Sequence, residues 1–233
     1  MEMITTPNSK QSVKILKDSF EKNLWEQGKL VVGIDEVGRG CLAGPLVTAA
    51  AILPIGRTSP LLRDSKLMSP EERLKAYSWI IAHCRYQIGI VHHRIIDQHN
   101  IYQATMLAMK KALVNLLTQI NETPGAILVD AMPLKLSDTG FNSIPVYHFP
   151  KGEQKSSSIA AASIVAKVTR DALMEKYETL FPGYGLKQHK GYATKIHQGH
   201  IHELRHSIIH RESFLGSFRP KIEVDDDQQQ TLF

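Results

Sequence analysis

The sequence predicts an α/β fold: a mixed central sheet flanked by helices, with a C-terminal helical extension. Two observations carry that reading. Two apolar runs joined by a glycine-rich segment open the body like a hairpin, and strand-like runs then alternate with helical periodicities. The 233 residues, 42% hydrophobic and 22% charged, suffice for one core with appendages and exclude a wholly disordered or fibrous chain. The longest near-apolar run, Leu42 to Leu53, carries Gly44, Pro45 and Thr48 and is too short to span a bilayer. Residues 1–5 lack a basic segment ahead of an apolar one, so no secretory signal is expected. Cys41 and Cys84 form no C-x-x-C pair, which fits a reduced, cytoplasmic protein.

Val13, Leu16, Phe20 and Leu24 recur at helical spacing and predict an amphipathic helix over 12–26, within an N-terminal extension of residues 1–28. A buried strand is expected over 30–35 and a second over 47–53, joined by Gly38-Arg39-Gly40. Ser69-Pro70-Glu71-Glu72 is a helix start with Ser as N-cap, Pro at the first position and Glu three residues on, and that helix runs to about His83. A strand follows at 85–92. Asn100 caps a long helix to about Ile120 with Ala104, Leu107, Ala108 and Leu116 on its apolar side. Short strands are expected at 125–129 and 144–149. Ser156-Ser157-Ser158 opens a helix of small residues, and 192–211 is helical by period. Residues 29–216 are thus read as the main body, and 217–233 as a flexible acidic tail without core residues.

Asp35-Glu36 falls at the end of the first strand, Asp130 at the end of a central one, and Glu153 follows the strand at 144–149. Strand ends are where open α/β sheets place their sites. Carboxylates converging there repel unless a divalent cation neutralises them, and all-oxygen ligands suit Mg²⁺ or Mn²⁺. Adjacent strand residues face opposite sides, so Glu36 is expected to be leaving the strand already. Charge points the same way: residues 1–220 carry 27 basic against 19 acidic side chains, the acidic tail lowering the whole chain to +5, which suits a polyanionic partner. Lys66, Lys167, Arg170 and the start of the Ser156 helix are candidates to grip phosphates. Asp171 is assigned a structural hydrogen bond or ion pair. His202, His206 and His210 stand at i, i+4 spacing, but without a nearby Cys or an H-E-x-x-H arrangement they read as solvent-facing and loop residues, not a zinc site.

The segment Gly33-Ile34-Asp35-Glu36-Val37-Gly38-Arg39-Gly40, with Leu42-Ala43-Gly44-Pro45 behind it, closely resembles the opening signature of bacterial ribonuclease HII. Further motifs agree in order: Asp64-Ser65-Lys66, Val129-Asp130, Lys151-Gly152, Ala161-Ala162-Ser163 through Asp171, His189-Lys190-Gly191-Tyr192, and His210-Arg211 with Ser213-Phe214. The resemblance covers roughly residues 29–216. It implies a ribonuclease H-like fold and a monomeric endonuclease that cuts the RNA strand of RNA–DNA hybrids. It also implies cutting 5′ of single ribonucleotides in duplex DNA, with 3′-hydroxyl and 5′-phosphate products. It carries metal ligation and catalysis onto Asp35, Glu36 and Asp130, with two divalent ions at the scissile phosphate. The family's fourth acidic position is usually Asp, and here it is Glu153. By the same resemblance Gly38, Arg39 and Gly40 read the ribose through their backbone, and Tyr192 does so through its hydroxyl while its ring stacks on the next sugar. The terminal Gln229-x-x-Leu232-Phe233 resembles the short peptide that docks on the bacterial sliding clamp. Two alternatives stay open: a carboxylate-metal nuclease acting on all-DNA substrates, and a non-catalytic nucleic-acid-binding module.

Overall fold

The computed structural model describes residues 16–216. Five strands form one sheet in the order β3-β2-β1-β4-β5. β1 (Val31–Val37) and β2 (Leu46–Ile52) pair antiparallel, as do β2 and β3 (Arg85–Val91). β4 (Ala126–Asp130) lies parallel to β1, and β5 (Val146–Phe149) parallel to β4. The hairpin-first order of the sequence thus becomes a mixed sheet. Helices α1 (Ser19–Glu26), α2 (Pro70–His83), α3 (His93–Leu117), α4 (Ser157–Leu180), α5 (Leu186–His189) and α6 (Lys195–Leu204) complete the fold.

Alternation along the strands makes two core layers. Val32, Ile34, Ala50, Ile52, Ile127 and Val129 face α3 through Met109, Leu113 and Leu116. Val47, Ala49 and Ala51 face α4 through Ala160, Ala161, Ile164 and Val165, with Ala76 and Ile80 of α2 in the same cluster. Small side chains on both sides let α4 sit close to the sheet. Gly33 marks the nearest approach: a Cβ there would collide with the Ser158 backbone.

Three sequence expectations shift. The N-terminal helix begins at Ser19, and residues 12–15 of its expected span lie outside the described residues. Its buried side chains are Trp25 and, against the periodicity, Glu21. Asn100 does cap the long helix, its Oδ1 accepting from the amides of Tyr102 and Gln103 at 3.0 and 3.1 Å. Another helical stretch, from His93, runs into it across the break at Asn100 (φ 68°). The helix expected over 192–211 is α6 alone. Thr194 caps it through Oγ1, and Arg205 (φ 65°) ends it. On either side the chain turns without continuing the helix, and Tyr192 and His210 bridge Cys41 and Ala43. The capping box at Ser69 forms as expected. Among the described residues no helix is long and apolar enough to cross a membrane.

Candidate active site

Register sets the first two carboxylates side by side. Ile34 pairs with Val129 on the parallel β1–β4 ladder, so Asp35 and Asp130 are neighbours one step further along. Glu153 arrives on the 3-10 turn Gly152–Gln154 after β5, and the Gly152 amide donates to Asp130 Oδ1 at 2.7 Å. Carboxylate oxygens of Asp35, Asp130 and Glu153 lie within 4.8 Å of one another, the one such cluster of three or more His, Cys, Asp or Glu side chains among the described residues.

Glu36 corrects an expectation. It has not left the strand: it pairs with Thr48, and β1 runs on to Val37. Strand alternation turns it away from Asp35, and it stands outside the cluster of three, near enough to Asp130 for the two charges to interact. Its Oε1 accepts from Arg39 Nη1 at 3.4 Å. Burial, and then the Asp130 charge, push its carboxyl up to about 7 against the pull of Arg39. Asp35 is raised well above the usual carboxylate range, by burial first and then by Glu36, Asp130 and Glu153. Oε2 of Glu36 and Oε2 of Glu153 are buried without a partner among the described residues. Mutually repelling, under-satisfied carboxylate oxygens in a buried cluster fit a divalent cation with oxygen ligands.

Ser163, one of α4's small residues, hydrogen-bonds Asp35, and its Oγ lies 2.9 Å from Ser65 Oγ. The sequence reading gave neither serine a role. Both lie in quoted motifs, but a hydroxyl's partner comes from another element. Lys66 beside them is three-quarters exposed, with Nζ 3.4 Å from Glu153 Oε1.

Ser163, Lys167 and Arg170 share one stripe of α4, and that stripe leads from Asp35 to Tyr192. The half-exposed Tyr192 ring has Lys167 Nζ at 5.9 Å and Arg170 Cζ at 5.7 Å from its centroid. Lys167 pairs with Asp171 at 2.8 Å, which gives Asp171 its expected structural role. Arg170 is a correction. It is fully buried, and its guanidinium donates to the carbonyls of Pro45, Ala43 and Lys190 at 2.9, 3.1 and 2.8 Å, so it does not face a phosphate. The start of α4 is another. Ser157 N donates to Asp18 Oδ1 at 2.6 Å and Ser158 N to Glu21 Oε1 at 3.2 Å, while Ser156 Oγ also bonds Glu21. α1 has taken the anion-binding end of that helix.

Three of the histidines are buried, not solvent-facing. His189, His197 and His210 pack ring on ring. Burial, joined for each by a neighbouring histidine, pushes His197 and His210 down to about 4. Arg211, fully buried, is lowered to about 10, burial first. The terminal Gln229, Leu232 and Phe233 lie outside the described residues.

Residues 32–216 match the family model described as Ribonuclease HII. A Ribonuclease HII of Levilactobacillus brevis is 44% identical over 196 residues, spanning 84% of this chain and 72% of that protein. Among solved structures, the PCNA:RNase HII complex from Archaeoglobus fulgidus superposes with a TM-score of 0.67 at 25% identity, covering 82% of this chain and 97% of that one. The ribonuclease H2 from Pyrococcus horikoshii OT3 gives 0.66 at 26% identity, covering 79% and 93%.

Proposed function

The chain belongs to the ribonuclease HII family and is a ribonuclease H endonuclease, and from that premise we propose that it cuts duplex DNA 5′ of single embedded ribonucleotides. The products are a 3′-hydroxyl and a 5′-phosphate, and the role is removal of misincorporated ribonucleotides in the cytoplasm. The same site cuts the RNA strand of RNA–DNA hybrids. The observation that carries the reading is the largely buried cluster of Asp35, Asp130 and Glu153, from β1, the end of β4 and the turn after β5, in a body whose residues 29–216 form the catalytic unit.

Asp35, Asp130 and Glu153 would hold Mg²⁺ or Mn²⁺, with Glu36 completing the set through its unpartnered Oε2. Such ions, when bound, supply an activated water and neutralise charge at the scissile phosphate. Ser163 orients Asp35. The exposed Lys66 reaches for a backbone phosphate, and Lys167, although paired with Asp171, adds positive potential beside Tyr192. The Gly38-Arg39-Gly40 backbone and the Tyr192 hydroxyl read the 2′-hydroxyl, the group that separates RNA from DNA.

Gln229, Leu232 and Phe233 are proposed to dock on a sliding clamp, with Leu232 and Phe233 as apolar anchors. The archaeal ribonuclease HII solved in complex with PCNA supports this reading. Replacing Leu232 and Phe233 by Ala is expected to eliminate clamp binding in a titration and leave cleavage of free oligonucleotides unchanged.

The deciding assay uses duplex DNA carrying one ribonucleotide, with Mg²⁺ or Mn²⁺. Cleavage 5′ of the ribonucleotide supports the proposal. Equal cutting of an all-DNA duplex would assign a DNA nuclease, and binding without cutting a non-catalytic module.

A further inference from the structure

Two buried guanidinium groups hold the segment between β1 and β2 from beneath. Arg211 donates from Nη1 to the Arg39 carbonyl at 2.8 Å, and from Nε and Nη2 to the Gly44 carbonyl at 3.1 and 3.0 Å. Arg170 takes the carbonyls of Ala43 and Pro45. A Cβ on Gly38 (φ 92°) would collide with the Arg170 guanidinium, so the loop lies directly on it. Burying a charge costs several kcal/mol even when it is well hydrogen-bonded. An apolar side chain would fill the same volume at lower cost, so packing alone does not account for an arginine at 211.

The Arg39 contact has a specific consequence. In a trans peptide the carbonyl and the following N–H point in opposite directions, and no peptide bond described here is cis. With the Arg39 carbonyl turned inward to Arg211, the Gly40 N–H is turned outward. Gly40 is exposed, and a Cβ there would meet nothing within 4 Å. The amides of Arg39 and Gly40 donate to no backbone carbonyl among the described residues. A free donor is thereby fixed on the open side of the loop by a side chain that never reaches the surface.

We propose that Arg211 is a positioning residue for ribose selectivity: it locks the Arg39–Gly40 peptide plane so that the Gly40 N–H meets the 2′-oxygen of the ribonucleotide. This rests on the reading that the loop backbone recognises the ribose, and it adds what orients that backbone. The guanidinium fork bonds the Arg39 and Gly44 carbonyls together, whereas a lysine ammonium is a point charge on a flexible stem and holds neither in a fixed plane.

Single-turnover cleavage of a duplex with one ribonucleotide tests this, alongside affinity for the matching all-DNA duplex and Mn²⁺ affinity by titration. Arg211→Lys is expected to slow cleavage roughly tenfold, the scale of one lost hydrogen bond, with both affinities within about twofold of wild type, close to measurement scatter. Gly40→Pro deletes the N–H itself and is expected to slow cleavage at least as much. Adding Arg211→Lys to Gly40→Pro is expected to cost nothing further, because the two act through one donor. A wild-type rate for Arg211→Lys, a parallel loss of all-DNA affinity, or multiplying losses in the double variant would overturn the proposal. Should Arg211→Lys not fold, Arg211→Met, which fills the same volume without the donors, decides by the same readouts: a wild-type rate overturns the proposal, and slowed cleavage with unchanged affinities sustains it. If wild type itself fails to discriminate ribose from deoxyribose, the functional reading falls first. If wild type discriminates and Arg211→Lys does so equally well, only this inference falls.

Discussion

His210 Nε2 lies 3.1 Å from His197 Nε2, and the remaining contacts of the two rings fix which one donates. His197 Nδ1 donates to the Tyr192 carbonyl at 2.9 Å, so its Nε2 is the acceptor. His210 therefore donates from Nε2 and accepts at Nδ1 from the Ser207 amide at 3.0 Å. Both rings must be neutral for this chain of bonds to exist, and it anchors the backbone of Tyr192.

The pH dependence of stability follows. Burial holds both imidazoles near 4 in the folded state against 6.5 unfolded, so the unfolded chain binds more protons between those values. Stability is fully present above pH 6.5 and is lost as pH falls towards 4, by up to roughly 3 kcal/mol per ring. His93, His189, His200 and His206 face the pair and oppose a charge on it. Thermal melts from pH 7 to 4.5 are expected to fall steeply in wild type and less steeply in His197→Gln. Parallel curves would show that the pair does not carry the effect.

Asp35→Asn and Asp130→Asn are each expected to abolish cleavage while leaving the fold intact. Without divalent metal, Asp35→Asn is expected to raise the melting temperature by a few degrees. The carboxylate at 35 is disfavoured by burial and by its three acidic neighbours, and the amide removes that charge. Activity and calorimetry in chelator check both, and retained activity in either variant would displace the metal site.

Glu153→Asp is expected to keep substantial activity, with a shifted Mg²⁺/Mn²⁺ preference because Mg²⁺ demands stricter octahedral geometry. Glu153→Gln is expected to lose at least tenfold more, since Oε2 is the buried atom left without a partner. Metal titrations of the three proteins check this, and indistinguishable kinetics would remove Glu153 from the site.

How much was legible in the sequence depended on the range of the interaction. The box at Ser69, the cap at Asn100 and the strand-end position of Asp130 are set within a few residues and stood as read. The misreadings were long-range. Nothing near Arg170 in sequence indicates that Pro45 and Lys190 supply its acceptors, so it passed for a phosphate grip. The histidine period suggested one helix because its buried rings cluster across a turn, not along a helix face. Glu36 stayed in its strand because β2 pairs one residue beyond it.

Asp18 and Glu21 yield the last prediction. Asp18 Oδ1 and Oδ2 take the Ser157 amide and hydroxyl at 2.6 and 3.0 Å, capping α4 from a residue 139 positions away in sequence. Asp18→Ala leaves those buried donors without their partner and is expected to cost about 1–2 kcal/mol, as for loss of a strong N-cap. That corresponds to a melting point lower by roughly 2–8 °C for a chain of this size. Glu21 differs because burial raises its carboxyl and its Oε2 has no partner among the described residues. A glutamine retains the carbonyl oxygen that Ser156 and Ser158 bond and sheds the buried charge. Glu21→Gln is therefore expected to match or exceed wild-type stability at neutral pH, while Glu21→Ala falls with Asp18→Ala. Denaturant midpoints for the four proteins check the ordering. A Glu21→Gln variant as unstable as Glu21→Ala would show that the charge itself, acting on the positive end of α4, holds the two helices together.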